Sequence, residues 1–410
     1  YGHHGDLHSF PTRRSSDLLF AATTINYLDR IVFSVLIPVI REEMHISNQD
    51  YGYLTGAFTA AYTVGFLFAG KFIDRYGTKL GYAVAIVWWS IAAALHGLAR
   101  HPVDLGIWRA LLGFGESGNF PAAVKSVAEW FPKKDRAFAT GIFNAGTNVA
   151  AMVGPPAFVY LNMHFGWRAC FVLTASLGFV WVIAWYLMYR KPPEVPGEKQ
   201  EPSIGWLQAL GYRQTWGFAV GKFLTDPVWW FYLFWLPPYL YDVRKFNLVE
   251  IGWALPVVYL MADIGSVGGG WISGFLMRRG WATFQARRAA MALCAACMPI
   301  AAMSAFAPSA VLTVALVSIA TAAHQGWSAN IYSTTSDVFP KNAVASVTGI
   351  GGCAGGIGGF LFSSVIPGFV VSHFGYTPMF LFMGALHLTA LAALQLLLWR
   401  GKHGSDATLA

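Results

Sequence analysis

Phe131-Pro132-Lys133, followed by Thr140-Gly141-Ile142, returns 208 residues later as Phe339-Pro340-Lys341 followed by Thr348-Gly349-Ile350, each copy between two long apolar spans. A second pair of segments keeps nearly the same offset: His164-Phe165-Gly166-Trp167 reappears as His373-Phe374-Gly375-Tyr376. A repeat of this length in a hydrophobic chain predicts two related halves, each a set of membrane-crossing helices.

Composition agrees. Of 410 residues, 56% are hydrophobic and 12% charged, against roughly 25% charged in soluble domains. Spans of about 20 apolar residues can be drawn at 18–40, 51–73, 80–99, 103–127, 137–160 and 168–189, and again at 215–240, 252–277, 287–306, 309–336, 344–371 and 377–399. The expected fold is therefore an all-α membrane protein, twelve transmembrane helices in two pseudo-symmetric six-helix bundles. The expected divisions are a non-native lead-in at 1–17, which resembles a translated adapter; an N-terminal bundle at 18–190; a proline-rich cytoplasmic linker at 191–214, with a short interfacial helix at 204–212; a C-terminal bundle at 215–400; and a tail at 401–410.

The formal net charge of +8 reads as topology rather than nucleic-acid binding. Even-numbered loops and the tail hold 16 Lys and Arg and odd-numbered loops hold 5, so both termini and the linker are expected in the cytoplasm, and the chain in the inner (plasma) membrane as a multi-pass protein. Cys170, Cys294, Cys297 and Cys353 all fall within apolar spans, which predicts packing roles, no disulfide framework and no metal. No phosphate loop of Walker spacing is present, which argues against ATP-driven transport. No cofactor is expected, and the lipid bilayer is the expected partner, with the protein monomeric.

The loop after the second span, Gly70-Lys71-Phe72-Ile73-Asp74-Arg75-Tyr76-Gly77-Thr78-Lys79, resembles the loop 2–3 signature of the major facilitator superfamily. Gly70, Asp74, Arg75, Gly77 and Lys79 are expected to form a conformational latch, with Gly70 and Gly77 permitting close approach and a tight turn. The equivalent segment Gly269 to Gly280 keeps glycines and basic residues but lacks the acid. Within that superfamily the chain resembles the anion:cation symporter family, nearest its hexuronate transporters. The residues carrying this are Asn26-Tyr27-Leu28-Asp29-Arg30, the run Gly113-Phe114-Gly115-Glu116-Ser117-Gly118-Asn119-Phe120-Pro121, Trp130-Phe131-Pro132, the run Gly221 to Trp230, and His324-Gln325-Gly326-Trp327-Ser328-Ala329-Asn330. The resemblance implies proton-coupled import of a sugar-acid anion by alternating access, with Asp29 and Glu116 as the proton-carrying acids, Arg109 modulating them, and Tyr62 facing the cavity.

Charges inside a bilayer are costly and need a cavity or a partner. This chain has Asp29, Arg30, Arg109, Glu116, Lys222, Asp226 and Asp263 within its spans. Arg30 shares a helix face with Tyr27 and Asn26, and a guanidinium fits a carboxylate bidentately; it is the expected anchor for the substrate carboxylate, the alternative being a structural pair with Asp29 or Glu116. Arg109 and Glu116 are seven residues apart, on one face and about 10.5 Å apart along the axis. A substrate competing for an arginine would release an acid to take a proton; a permanent salt-bridge network is the alternative. Lys222 is either a second positive contact or simply the i,i+4 partner of Asp226.

Trp229, His324, Gln325, Asn330 and Asn144 supply the aromatic surface and hydrogen bonds that a polyhydroxylated ligand requires, or else bond between helices. The glycines from Gly349 to Gly359 allow close helix crossings and bending, so this segment reads as part of the moving interface rather than the binding site. Two further readings stay open. One is the same machinery serving an aldonate, aldarate, tartrate or other organic anion. The other is a non-transporting membrane sensor of such anions. A membrane enzyme is disfavoured because no nucleophile and base pair is evident.

Overall fold

The computed structural model describes residues 10–130, 136–189, 206–339 and 341–397. The first Phe-Pro-Lys copy, Pro340, the proline-rich part of the linker and the tail lie outside the described residues. So does the side chain of Asp74.

The described chain is helical: α1 (Phe10–Met44), α2 (Asn48–Tyr76), α3 (Thr78–His96), α4 (Pro102–Glu116), α5 (Asn119–Trp130), α6 (Arg136–Met188), the single turn α7 (Trp206–Ala209), α8 (Arg213–Asp242), α9 (Leu248–Arg278), α10 (Thr283–Ala302), α11 (Ala310–Val338), α12 (Lys341–Phe360), α13 (Ile366–Phe374) and α14 (Thr377–Leu397). A 3₁₀ turn (Met303–Phe306) follows α10, and a π-helical turn (Leu361–Val365) joins α12 to α13. Eight of the described helices are long and apolar enough to cross a membrane. One of these, α6, is two rods, because Gly166 takes φ 78° inside it. The drawn span 103–127 is likewise split, with Ser117 and Gly118 between α4 and α5.

The chain forms two compact units. One comprises 1–46, 57–197 and 246–256, the other 47–56, 198–245 and 257–410. In the first, α1 packs along α6, and α3 against α6 and α4. In the second, α8 packs against α12 and α14, and α10 against α11 and α14.

The backbone carries the duplication further than the sequence does. Among the described residues, those with positive φ fall into three pairs: His45 and Lys245, Gly77 and Gly280, Gly166 and Gly375. Helix starts repeat as well. Ser47 and Asp50 cap α2 reciprocally (3.0 and 3.1 Å), and Asn247 and Glu250 do the same for α9 (2.8 and 2.9 Å), satisfying amides that a helix N-terminus leaves open. At Gly166 and Gly375 the left-handed turn lets the next aromatic reach an acid. Trp167 Nε1 donates to Glu43 Oε2 (2.7 Å) and the Tyr376 hydroxyl to Asp242 Oδ2 (3.2 Å). Both acids end a helix, α1 in one unit and α8 in the other.

The glycine-rich α12 packs on α8. A Cβ at Gly351 would lie 2.1 Å from the Phe218 ring, one at Gly355 2.1 Å from Asp226 Oδ2, and one at Gly358 2.1 Å from the Phe223 carbonyl. Pro227 has no N–H to give that carbonyl, and Gly358 lets another helix come against it. These glycines thus make a close helix crossing of the kind expected, between two helices of one unit.

Candidate functional site

Each unit holds its own polar cluster in an apolar bundle. In the first, α1 contributes Asn26, Tyr27, Asp29 and Arg30, α2 contributes Phe58 and Tyr62, and α4 contributes Arg109 and Glu116. Arg30 is 2% exposed and Glu116 fully buried. Arg30 Nε and Nη2 both lie 2.9 Å from Glu116 Oε2, and Nη2 also donates to Asn26 Oδ1 at 3.3 Å. Aromatic faces complete the enclosure, with the guanidinium carbon 4.6 Å from the Tyr27 ring centre, 4.8 Å from Tyr62 and 5.3 Å from Phe58. The ring quadrupoles stabilise the cation, and the carboxylate compensates its charge.

Arg109 is buried, with its guanidinium carbon 4.4 Å from the centre of Phe58 and 4.9 Å from that of Phe33. Asp29 is fully buried beside Thr174 and Glu116. The expected one-face grouping of Asn26, Tyr27 and Arg30 is present. Asn144 is exposed on α6, and no contact brings it to this cluster.

In the second unit α8 supplies Lys222, Asp226 and Trp229, and α11 supplies His324, Gln325, Asn330 and Tyr332. Lys222 Nζ is 2.8 Å from Asp226 Oδ1, donates to the Tyr332 hydroxyl at 2.7 Å, and lies 4.2 Å from that ring's centre. Trp229 runs nearly parallel to His324 (5.9 Å, 14°) and edge-on to Tyr259. Gln325 is half-buried. Asn330 takes the second of its two expected roles, bonding between helices. Its amide nitrogen donates to the carbonyls of Gly269 and Gly326, both at 2.9 Å, so it ties α9 to α11 and keeps no N–H for a ligand.

The latch residues divide. Gly77 makes the expected tight turn with φ 81°. A Cβ at Gly70 meets no described atom within 4 Å. Arg75 is exposed, 5.7 Å from the ring of its neighbour Tyr76. Lys79 is held within its own unit, Nζ donating to the Tyr186 carbonyl at 3.3 Å near the C-terminus of α6, where the helix dipole favours a cation.

Several residues escaped the sequence reading. Glu129 accepts from Thr78 and Tyr189, both at 2.7 Å. Asp337, at the repeat offset from Glu129, takes Arg287 (3.2 Å), which also donates to Ser273 (3.0 Å). The acid missing from the Gly269–Gly280 segment is thus supplied by α11, and the 208-residue offset was the signal that could have found it. Tyr332, Phe58 and His387 gave no comparable signal.

Helical membrane spans in a duplicated chain, with a buried compensated cation in each unit, define a class of multi-pass membrane proteins. The chain matches the Major Facilitator Superfamily over residues 19–363 and belongs to it. It is 31% identical to a hexuronate transporter of Escherichia coli K12 over 390 residues, covering 90% of both chains. It is 26% identical over 398 residues to a D-galactonate transporter of Escherichia coli O6:H1, covering 90% of this chain and 92% of that one. Among solved structures it is similar to a bacterial homolog of the human lysosomal transporter Spinster in an inward-facing, occupied conformation, with TM-score 0.76 and 18% identity over 95% of this chain and 96% of that one. The two Escherichia coli relatives are named as transporters of sugar acids.

Proposed function

We propose that this protein is a proton-coupled symporter importing a sugar-acid anion, a hexuronate, by alternating access of two six-helix bundles with twelve spans and cytoplasmic termini. The observation that carries it is the buried Arg30–Glu116 pair inside its aromatic enclosure.

The coupling follows from charge balance. The Arg30–Glu116 pair is one cation and one carboxylate and is neutral on its own. A substrate carboxylate that takes the Arg30 fork displaces Glu116, and an unpaired buried carboxylate is strongly disfavoured. Protonating Glu116 restores neutrality, so substrate without proton is the costly combination. Asp29, buried beside Glu116, is the second acid on the proton's path. In the other unit Lys222, held between Asp226 and Tyr332, offers an anion a positive contact, and Trp229, His324 and Gln325 offer a sugar ring an aromatic face and hydrogen bonds.

The test is uptake of radiolabelled glucuronate and galacturonate into proteoliposomes, with and without an inward proton gradient. Gradient-driven accumulation is expected, and identical uptake in both conditions would refute the coupling. The D-galactonate relative favours an aldonate as the second reading; accumulation of galactonate with neither uronate would establish it.

A further inference from the structure

His387, on α14, is fully buried and takes no part in the charge balance above. Its Nε2 lies 3.2 Å from His324 Nδ1, its ring is edge-on to His324 (5.3 Å, 86°), and Trp327 closes its other side (5.2 Å, 80°). The second nitrogen, Nδ1, is buried with no hydrogen-bond partner among the described residues.

One hydrogen is shared between the two imidazoles, and it has two placements. If His324 donated, His387 would carry its own hydrogen on Nδ1, leaving a buried N–H without an acceptor. If His387 donates from Nε2, its Nδ1 is a bare lone pair. Orphaned buried donors are the rarer arrangement. The second placement leaves His324 with its hydrogen on Nε2, since a neutral imidazole carries one. His324 keeps 4% of its surface exposed, and its Nε2 has no hydrogen bond to a described residue. Its ring lies parallel to half-buried Trp229, an indole face of the kind that receives the C–H face of a sugar.

We infer that His387 is a positioning residue that fixes His324 in its Nε2–H form, so that His324 donates to a ring hydroxyl of a sugar acid lying on Trp229. This rests on the sugar-acid reading above and names the part of the site that recognises the ring. A donor held in one tautomer discriminates hydroxyl from hydrogen, because a deoxy analogue leaves it unpaired.

Glutamine at 387 can place an amide N–H where Nε2 stands, whereas asparagine is one bond shorter. His387→Gln is therefore expected to keep the wild-type KM for glucuronate, and His387→Asn to raise it about tenfold with little change in kcat. Equal KM in the two variants would overturn the proposal. A second measurement does not need transport: ring-nitrogen shifts of ¹⁵N-histidine-labelled protein, assigned with the two variants and His324→Gln. Protonated Nε2 and bare Nδ1 on both residues are expected, and a protonated Nδ1 on His387 would overturn the assignment. Should the wild type move no sugar acid while the nitrogens follow the expected pattern, the transport reading fails and the tautomer assignment stands.

Discussion

The two polar clusters solve one problem, a cation inside a bilayer, in different ways. In the first unit Arg30 on α1 meets Glu116 on α4, 86 residues away, so the bond joins helices. In the second, Lys222 meets Asp226 four residues along the same helix. Breaking the first pair changes what holds α1 to α4. Breaking the second changes only where a side chain points. The side chains suit these roles, since a guanidinium fork can exchange one carboxylate for another while an ammonium is a mobile point charge. The first cluster is thus suited to coupling and the second to attraction.

The largest effects should therefore fall on the first unit. Glu116→Ala leaves Arg30 buried without its carboxylate and is expected to destabilise the protein by about 3–5 kcal/mol, seen as a fall in Tm in detergent. Glu116→Gln spares the shape and should remove gradient-driven accumulation while preserving counterflow exchange; intact accumulation in that variant would dissolve the contrast. In the second unit, Asp226→Asn keeps the Tyr332 contact of Lys222, so KM should rise about tenfold with accumulation still coupled to protons. Loss of coupling there would give both clusters the same role.

A smaller effect sharpens the comparison from the other side. Gly355→Ala puts a methyl 2.1 Å from Asp226 Oδ2 and should raise KM in the wild type by less than Asp226→Asn, with no added effect in the Asp226→Asn background if it acts by moving that carboxylate. The smallest should be equal in the two units. Gly166→Ala and Gly375→Ala each meet open space but a left-handed φ, at a cost of about 1–2 kcal/mol each. Thermal shifts that differ widely would show that the repeated turns no longer do the same work.

What the sequence disclosed follows from which signals are local. The duplication and the apolar spans were readable because period and hydropathy are properties of the chain itself. Arg30 and Glu116 were readable because intramembrane charge is rare enough to demand an explanation, and the bridge from α4 to α1 was among the alternatives. For Asn330 two roles stayed open because an amide looks the same whether it serves a ligand or two helix carbonyls. His387 was silent because one histidine in an apolar span acquires meaning only beside His324, 63 positions away in the chain.

Phe58 has one ring near two guanidinium groups, 5.3 Å from Arg30 and 4.4 Å from Arg109. An aromatic quadrupole shared by two cations is a junction. Whatever neutralises or draws off one of them alters the hold on the other, without any helix having to shift. Arrival of an anion at Arg30 would thus be registered at Arg109 first as a redistribution of electric field, which a tryptophan or a nitrile-bearing phenylalanine at position 58 would report as a spectral change.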